Sequence, residues 1–127
     1  MYVGTPNGAT SRPQGSVIPG PYLNRREAPT PILNYSELKF IEAEAALRAG
    51  QPGRAATAFN AAVAASLQRV TGSVNTAYMQ LYGSETSTTI TREKIMIEKH
   101  IDLFLQPEAW TDWRRSTPIG AANTVSG

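Results

Sequence analysis

Two pairs of acidic residues occur late in the sequence, and the two members of each pair are four positions apart. Glu98 and Asp102 form the first pair, and Glu108 and Asp112 form the second. Residues at this spacing share one face of a helix, so each pair has the geometry to bind a cation or to transfer protons. No third oxygen ligand stands nearby, which favours a solvated face or ion pairs. The available cations are Lys94, Lys99 and Arg114. This spacing also permits one enzymatic hypothesis, a hydrolase that acts through Glu108 and Asp112.

The remaining residues that could carry chemistry are few. His100 is the only histidine and the chain has no cysteine, so a zinc site would lack ligands and thiol chemistry is excluded. No nucleophile motif, phosphate-binding loop or dinucleotide fingerprint occurs. We therefore predict a protein that is not an enzyme, with no catalytic residues, no metal and no cofactor.

Trp110 and Trp113 are the only tryptophans, and they stand three residues apart. Flat apolar rings with a polar edge can stack on sugar rings, but they more commonly fill the seam between helices. We expect both to pack, with Trp110 against the helix that contains Phe104. If Trp110 is buried, its replacement by alanine should cost about 3–5 kcal/mol.

Arg114 and Arg115 follow directly and admit two interpretations. They could bind an anionic ligand, or they could offset the helix dipole and pair with nearby acids. Glu108 and Asp112 are close enough in sequence to be those acids. We favour the structural interpretation. The same holds for Tyr78 and Tyr82, which we expect to pack against a helical hairpin.

The periodicity predicts an all-α fold whose first two helices form a hairpin. Asn34 should cap the first helix, with Glu37 completing a capping box, and Gly50 should end it in the left-handed conformation. The second helix should run to about Val70, where Gly72 stops it. The spacing resembles a tetratricopeptide repeat, whose turn-glycine, small, aromatic and small positions are filled by Gly50, Ala55, Phe59 and Ala62.

Two further helices should meet at a proline corner. The third runs from about Arg92 to Leu105, capped by Thr89 or Thr91, and the fourth from about Pro107 to Arg115. Proline is tolerated in the first helical turn and breaks a helix elsewhere. One face of the third helix is apolar: Ile97, Ile101, Phe104 and Leu105.

Composition divides the 127 residues into three parts. Residues 1–33 hold six of the nine prolines and four of the ten glycines, which predicts an irregular strap. Residues 34–118 form the helical core, and residues 119–127 form a small, polar, flexible tail. The net charge of +2 and scattered basic residues are not those of a nucleic-acid binder, and no run of apolar residues is long enough to span a membrane.

Three ordered blocks resemble the SusD/RagB family of outer-membrane nutrient-binding lipoproteins. The first is the lead into the hairpin, residues 29–47, and the second is the partner helix, residues 55–66. The third resembles the family's late signature of a lysine-bearing helix and an acidic-tryptophan-arginine-arginine corner. Its residues here include Glu98, Lys99, Leu103, Phe104, Glu108, Trp110, Asp112, Arg114, Arg115 and Pro118.

The resemblance implies a function and a location. It implies a cell-surface lipoprotein of the outer membrane that captures a glycan or another nutrient and caps a TonB-dependent SusC-like transporter. No residue transfers as a ligand-binding residue by motif. Family members are longer and carry a lipoprotein signal and an acylated cysteine, so we expect this chain to be an internal or C-terminal fragment.

An alternative function is a free-standing tetratricopeptide-like adaptor that binds a protein partner. A free-standing adaptor should be monodisperse and should melt cooperatively. A fragment should expose an apolar face and associate with itself, because a single helical hairpin needs stacked neighbours.

Overall fold

The computed structural model describes residues 26–28 and 31–116. These residues form five helices and no strand, which confirms the all-α prediction. The helices are α1 (Tyr35–Arg48), α2 (Pro52–Thr71), α3 (Thr76–Tyr82), α4 (Arg92–Asp102) and α5 (Pro107–Ser116). They all belong to one compact unit that starts at Leu33. The predicted tail, and most of the predicted strap, lie outside the described residues.

The core lies in the seam between α1 and α2. Phe40 and Phe59 are each 1% exposed, and their rings meet edge to face with centroids 6.0 Å apart, a favoured arrangement for aromatic pairs. Ala43, Ala55 and Ala62 are fully buried around them. Small side chains at these positions let the two helices approach closely, so the predicted hairpin is present. Its kinship with tetratricopeptide repeats stays a prediction.

Glycines end both hairpin helices as expected. Gly50 (φ 70°) and Gly72 (φ 77°) adopt left-handed backbone angles, which cost a residue without a Cβ atom little. The Gly72 amide donates to the Gln68 carbonyl oxygen at 3.0 Å. Pro52 is the first residue of α2, where its missing N–H would have had no partner in the helix.

The predicted cap of α1 is wrong in one half. The side chain of Asn34 accepts no hydrogen bond from the first turn. The Glu37 carboxylate instead interacts with the backbone amide of Asn34, which is the other half of a capping box. Asn34 therefore begins the helix through its extended backbone alone.

Short polar contacts fix the segment between α2 and α4. Asn75 caps α3 by accepting from the Tyr78 amide at 3.0 Å. The Asn60 side chain exchanges two 2.8 Å hydrogen bonds with the backbone of Glu85. Thr91 accepts from the Lys94 amide at 3.3 Å, so Thr91, one of the two predicted residues, caps α4.

The corner between α4 and α5 starts earlier than the periodicity predicts. α4 ends at Asp102, not Leu105, because Leu103 leaves the helix to become fully buried. Leu105 then takes a left-handed conformation with φ 63°, which costs a leucine about 1 kcal/mol. Pro107 opens α5 as predicted.

Candidate functional site

α4 buries three charged side chains beside a single isoleucine and exposes its other isoleucines. Its buried residues are Ile95, Glu98, Lys99 and Asp102. The predicted apolar face exists but is directed to solvent: Ile97, Ile101, Phe104 and Leu105 are each more than half exposed. An exposed run of apolar side chains of this kind usually marks a surface that contacts another molecule.

Charged side chains of α5 also face the neighbouring helices. Glu108, Thr111, Asp112 and Arg115 line a cavity shared with α1 and Lys99 of α4. Trp110 is 61% exposed, so the prediction that it fills a helix seam is wrong. The physical reason is that the charged side chains of α5 find partners on α1 and α4, which directs the tryptophan away from the core.

The two tryptophans form a stacked pair. Trp113 is 37% exposed, and its ring lies 5.0 Å from that of Trp110 with an angle of 21° between the planes. Trp113 therefore stays more accessible than a residue that fills a seam. Together they present an aromatic surface of two indoles on α5.

A network of ion pairs holds α5 against α1 and α4. Arg115 donates two 2.9 Å hydrogen bonds to the Glu44 carboxylate and one of 2.8 Å to Asp112. Lys99, only 3% exposed, pairs with Asp112 at 2.5 Å. The expected pair of Asp112 with Lys99 thus forms, whereas the arginine that joins it is Arg115 and not Arg114. Bidentate arginine–carboxylate contacts are among the strongest polar interactions in proteins.

The Glu98 and Asp102 carboxylates do not act together. Asp102 accepts from the Ser36 hydroxyl at 2.9 Å and from Arg69 at 2.5 Å. Glu98 accepts from the Tyr78 hydroxyl at 3.0 Å. Each acid thus has a structural partner of its own, and the spacing that suggested a joint site does not bring them together.

The pKa directions around these contacts differ. Hydrogen bonds from Arg115 lower the pKa of Glu44. Burial raises the pKa of Asp112, but hydrogen bonds from Lys99 and Arg115 outweigh it and the net pKa is lowered. Burial raises the pKa of Glu98. Burial and the Glu98 carboxylate raise the pKa of Tyr78 to about 12.

The Glu44 ion pair should make stability depend on pH. A carboxylate whose pKa is lowered by folding stabilises the fold above its ordinary pKa, here 4.5, and this contribution disappears as pH falls through the lowered value. Glu44→Gln should therefore be less stable than the natural chain at pH 7, and the gap in stability should be smaller at pH 3. Urea unfolding at both pH values, with the exposed Glu93→Gln as control, measures the gap. An equal gap at both pH values would contradict this.

Sequence reasoning missed three residues of these contacts: Ser36, Glu44 and Arg69. The signal that could have identified Ser36 and Glu44 is their helical spacing. They lie on the same face of α1 as the buried residues Phe40 and Ala43. A polar residue in phase with the core is buried, and buried polar residues need partners. His100 is exposed, and no group of three or more acidic or histidine side chains suited to a metal occurs in residues 31–116.

A comparison with known protein families shows which family this chain resembles. The family model SusD-like, described as starch-binding and associating with the outer membrane, matches residues 1–118. No curated protein and no solved structure matches the chain. Across the described residues, none of the helices has the length and apolar character needed to cross a membrane. With 118 of 127 residues matched, this chain belongs to the SusD-like family.

Proposed function

We propose that this protein is a non-catalytic glycan-capture component of an outer-membrane uptake system of the SusC/SusD type. The family description, starch-binding and associating with the outer membrane, supports both the ligand class and the location. In this proposal the protein is a lipoprotein at the cell surface that delivers its ligand to a TonB-dependent SusC-like transporter. A binding role also agrees with carboxylates that are occupied by ion pairs, since these are poorly placed for acid–base chemistry.

The exposed tryptophan pair is the observation that carries the glycan proposal. Two stacked indoles lie on α5 with Trp110 61% exposed. Exposed aromatic area of this kind often marks a surface that contacts a ligand or a partner. The flat apolar face of a glucose ring matches an indole face, and its hydroxyl groups remain in water. The pair is therefore our candidate glycan contact.

Intrinsic fluorescence tests this proposal directly, because the chain has only two tryptophans and both belong to the pair. Titration with maltoheptaose should shift or quench the emission in a saturable way. Trp110→Ala should abolish saturation or weaken the affinity about tenfold, the loss expected for one stacked aromatic contact.

Phe104→Ala is the matched control, because Phe104 is equally exposed, at 59%, but lies outside the pair. Its titration should follow that of the natural chain. Unchanged emission at saturating maltoheptaose, or equal affinity in Trp110→Ala, would refute the role of the pair.

A protein-binding adaptor is the second candidate function. Its support is the apolar run on α4, where Ile97 and Ile101 are half exposed, a pattern typical of helices that contact other proteins. In the uptake proposal the same run is a candidate contact for the transporter. An adaptor without a glycan role predicts no fluorescence response to maltoheptaose, so the titration separates the two functions.

A further inference from the structure

A cavity of about 510 Å³ lies between α1, α4 and α5. It is on the charged face of α5, whereas the tryptophans project from a different face of the same helix. Its lining combines four carboxylates with two cations: Glu37, Glu44, Glu108 and Asp112 with Lys99 and Arg115. Ile41 and Thr111 complete it.

Both cations are already occupied by two of the four acids. Arg115 is bound by Glu44 and Asp112, and Lys99 is bound by Asp112. Glu44 has a further partner in Arg48 at 2.7 Å. Glu37 and Glu108 have no ion pair with any residue in the described part of the chain. With Arg48 counted, the four acids of the lining exceed the cations that pair with them by one charge.

Glu37 is the more deeply buried of these two acids. It is only 5% exposed, and its Oε2 atom is buried without a hydrogen-bond partner among the described residues. Burial raises the pKa of Glu37; Lys99 opposes this rise, and Glu108 and Asp112 add to it. A buried carboxylate oxygen without a donor is unfavourable, so a ligand that brings a donor and a positive charge would relieve it.

We propose that this cavity binds the ammonium group of an amine ligand between Glu37 and Glu108. A primary ammonium group has three N–H donors, and the cavity lining includes three residues with acceptor side chains: Glu37, Glu108 and Thr111. A calcium ion suits the site less well, since it takes six to eight oxygen ligands and no group of three or more acidic side chains among the described residues is placed to hold a metal ion. The site does not involve the tryptophan pair, so it stands independently of the glycan proposal.

Thermal unfolding of the full chain with methylammonium chloride tests the proposal. A ligand that binds only the folded state raises the midpoint as its concentration rises. The midpoint should rise with methylammonium chloride above its value in sodium chloride at the same ionic strength. Tetramethylammonium has the charge without N–H donors and should have no such effect.

Two variants connect the response to the cavity. Glu37→Gln and Glu108→Gln each keep the side-chain shape and remove one negative charge, and each should weaken the apparent affinity about tenfold, the cost of one hydrogen bond between charged groups. Glu93→Gln, on the exposed side of α4, is the control and should respond like the natural chain. Because Glu108 is only half buried, its variant keeps the test valid if Glu37→Gln does not fold.

Three results would overturn the proposal. One is an equal midpoint in methylammonium and sodium at every concentration. Another is a methylammonium response that both glutamine variants retain. The third is a rise with calcium chloride and none with methylammonium, which would assign the cavity to a metal ion.

Discussion

Phe59→Ala should lower the free energy of unfolding by about 3–5 kcal/mol. Phe59 is 1% exposed and packs edge to face on Phe40 in the seam of the hairpin. Its removal leaves a cavity that the surrounding alanines are too small to fill. Urea unfolding followed by circular dichroism at 222 nm gives the loss.

Trp110→Ala is the matched comparison, because it also removes a large aromatic ring. With Trp110 61% exposed and stacked on one neighbour, we expect a loss below about 1 kcal/mol. A loss as large as that of Phe59→Ala would restore the sequence-based view of Trp110 as a packing residue. The pair of variants therefore decides between a core role and a surface role for this tryptophan.

Asp112→Ala should also cost about 3–5 kcal/mol, but for an electrostatic reason. The substitution leaves Lys99, which is 3% exposed, without its partner, and it removes one of the acceptors of Arg115. A buried charge without a partner is more costly than the same site without charges. The loss is measured by urea unfolding at pH 7.

The double variant Lys99→Met with Asp112→Leu is the control. It removes both charges and fills the site with apolar side chains of similar size, so most of the stability lost in Asp112→Ala should return. No recovery would mean that Asp112 acts mainly through Arg115. A single-variant loss below about 1 kcal/mol would mean that solvent reaches the pair.

The hairpin and the helix ends could be predicted from local sequence signals. Gly50 and Gly72 end helices because the left-handed conformation costs glycine little, and Thr91 and Pro107 mark helix starts through capping and a fixed φ angle. Phe59 and the alanines beside it are in phase along α2. These signals act within a few residues, so they are readable without the fold.

The orientation of α4 and α5 could not be predicted in the same way. Helix amphipathicity assumes that apolar side chains face the core, and on that basis Ile101, Phe104 and Trp110 point inward. In the structure Glu44 and Ser36 of α1 supply partners for charged residues of α5 and α4. The phase of Ser36 and Glu44 in α1 indicates that they are buried, but it does not identify partners more than 60 positions away, so the amphipathicity rule predicted the wrong face of α4 and α5.

The candidate site shows the same division. Trp110, Arg114 and Arg115 carry the resemblance to the family, and the family model confirms membership. Their roles as signature residues of the structure stay predictions. The spacing of Glu37 to Asn34 predicts a helix cap, whereas only the structure shows that one oxygen of Glu37 is buried without a partner among the described residues.

The network around Arg115 also has a consequence for the order of folding. The hairpin core joins residues about twenty positions apart, whereas Ser36 meets Asp102 across 66 positions and Glu44 meets Arg115 across 71. Closing long loops is slow and entropically costly, so local contacts form first. α5 should thus dock late and detach early, as a separate cooperative unit. In a hydrogen-exchange experiment, the amide hydrogens of α5 should then exchange with solvent well before those of α1 and α2.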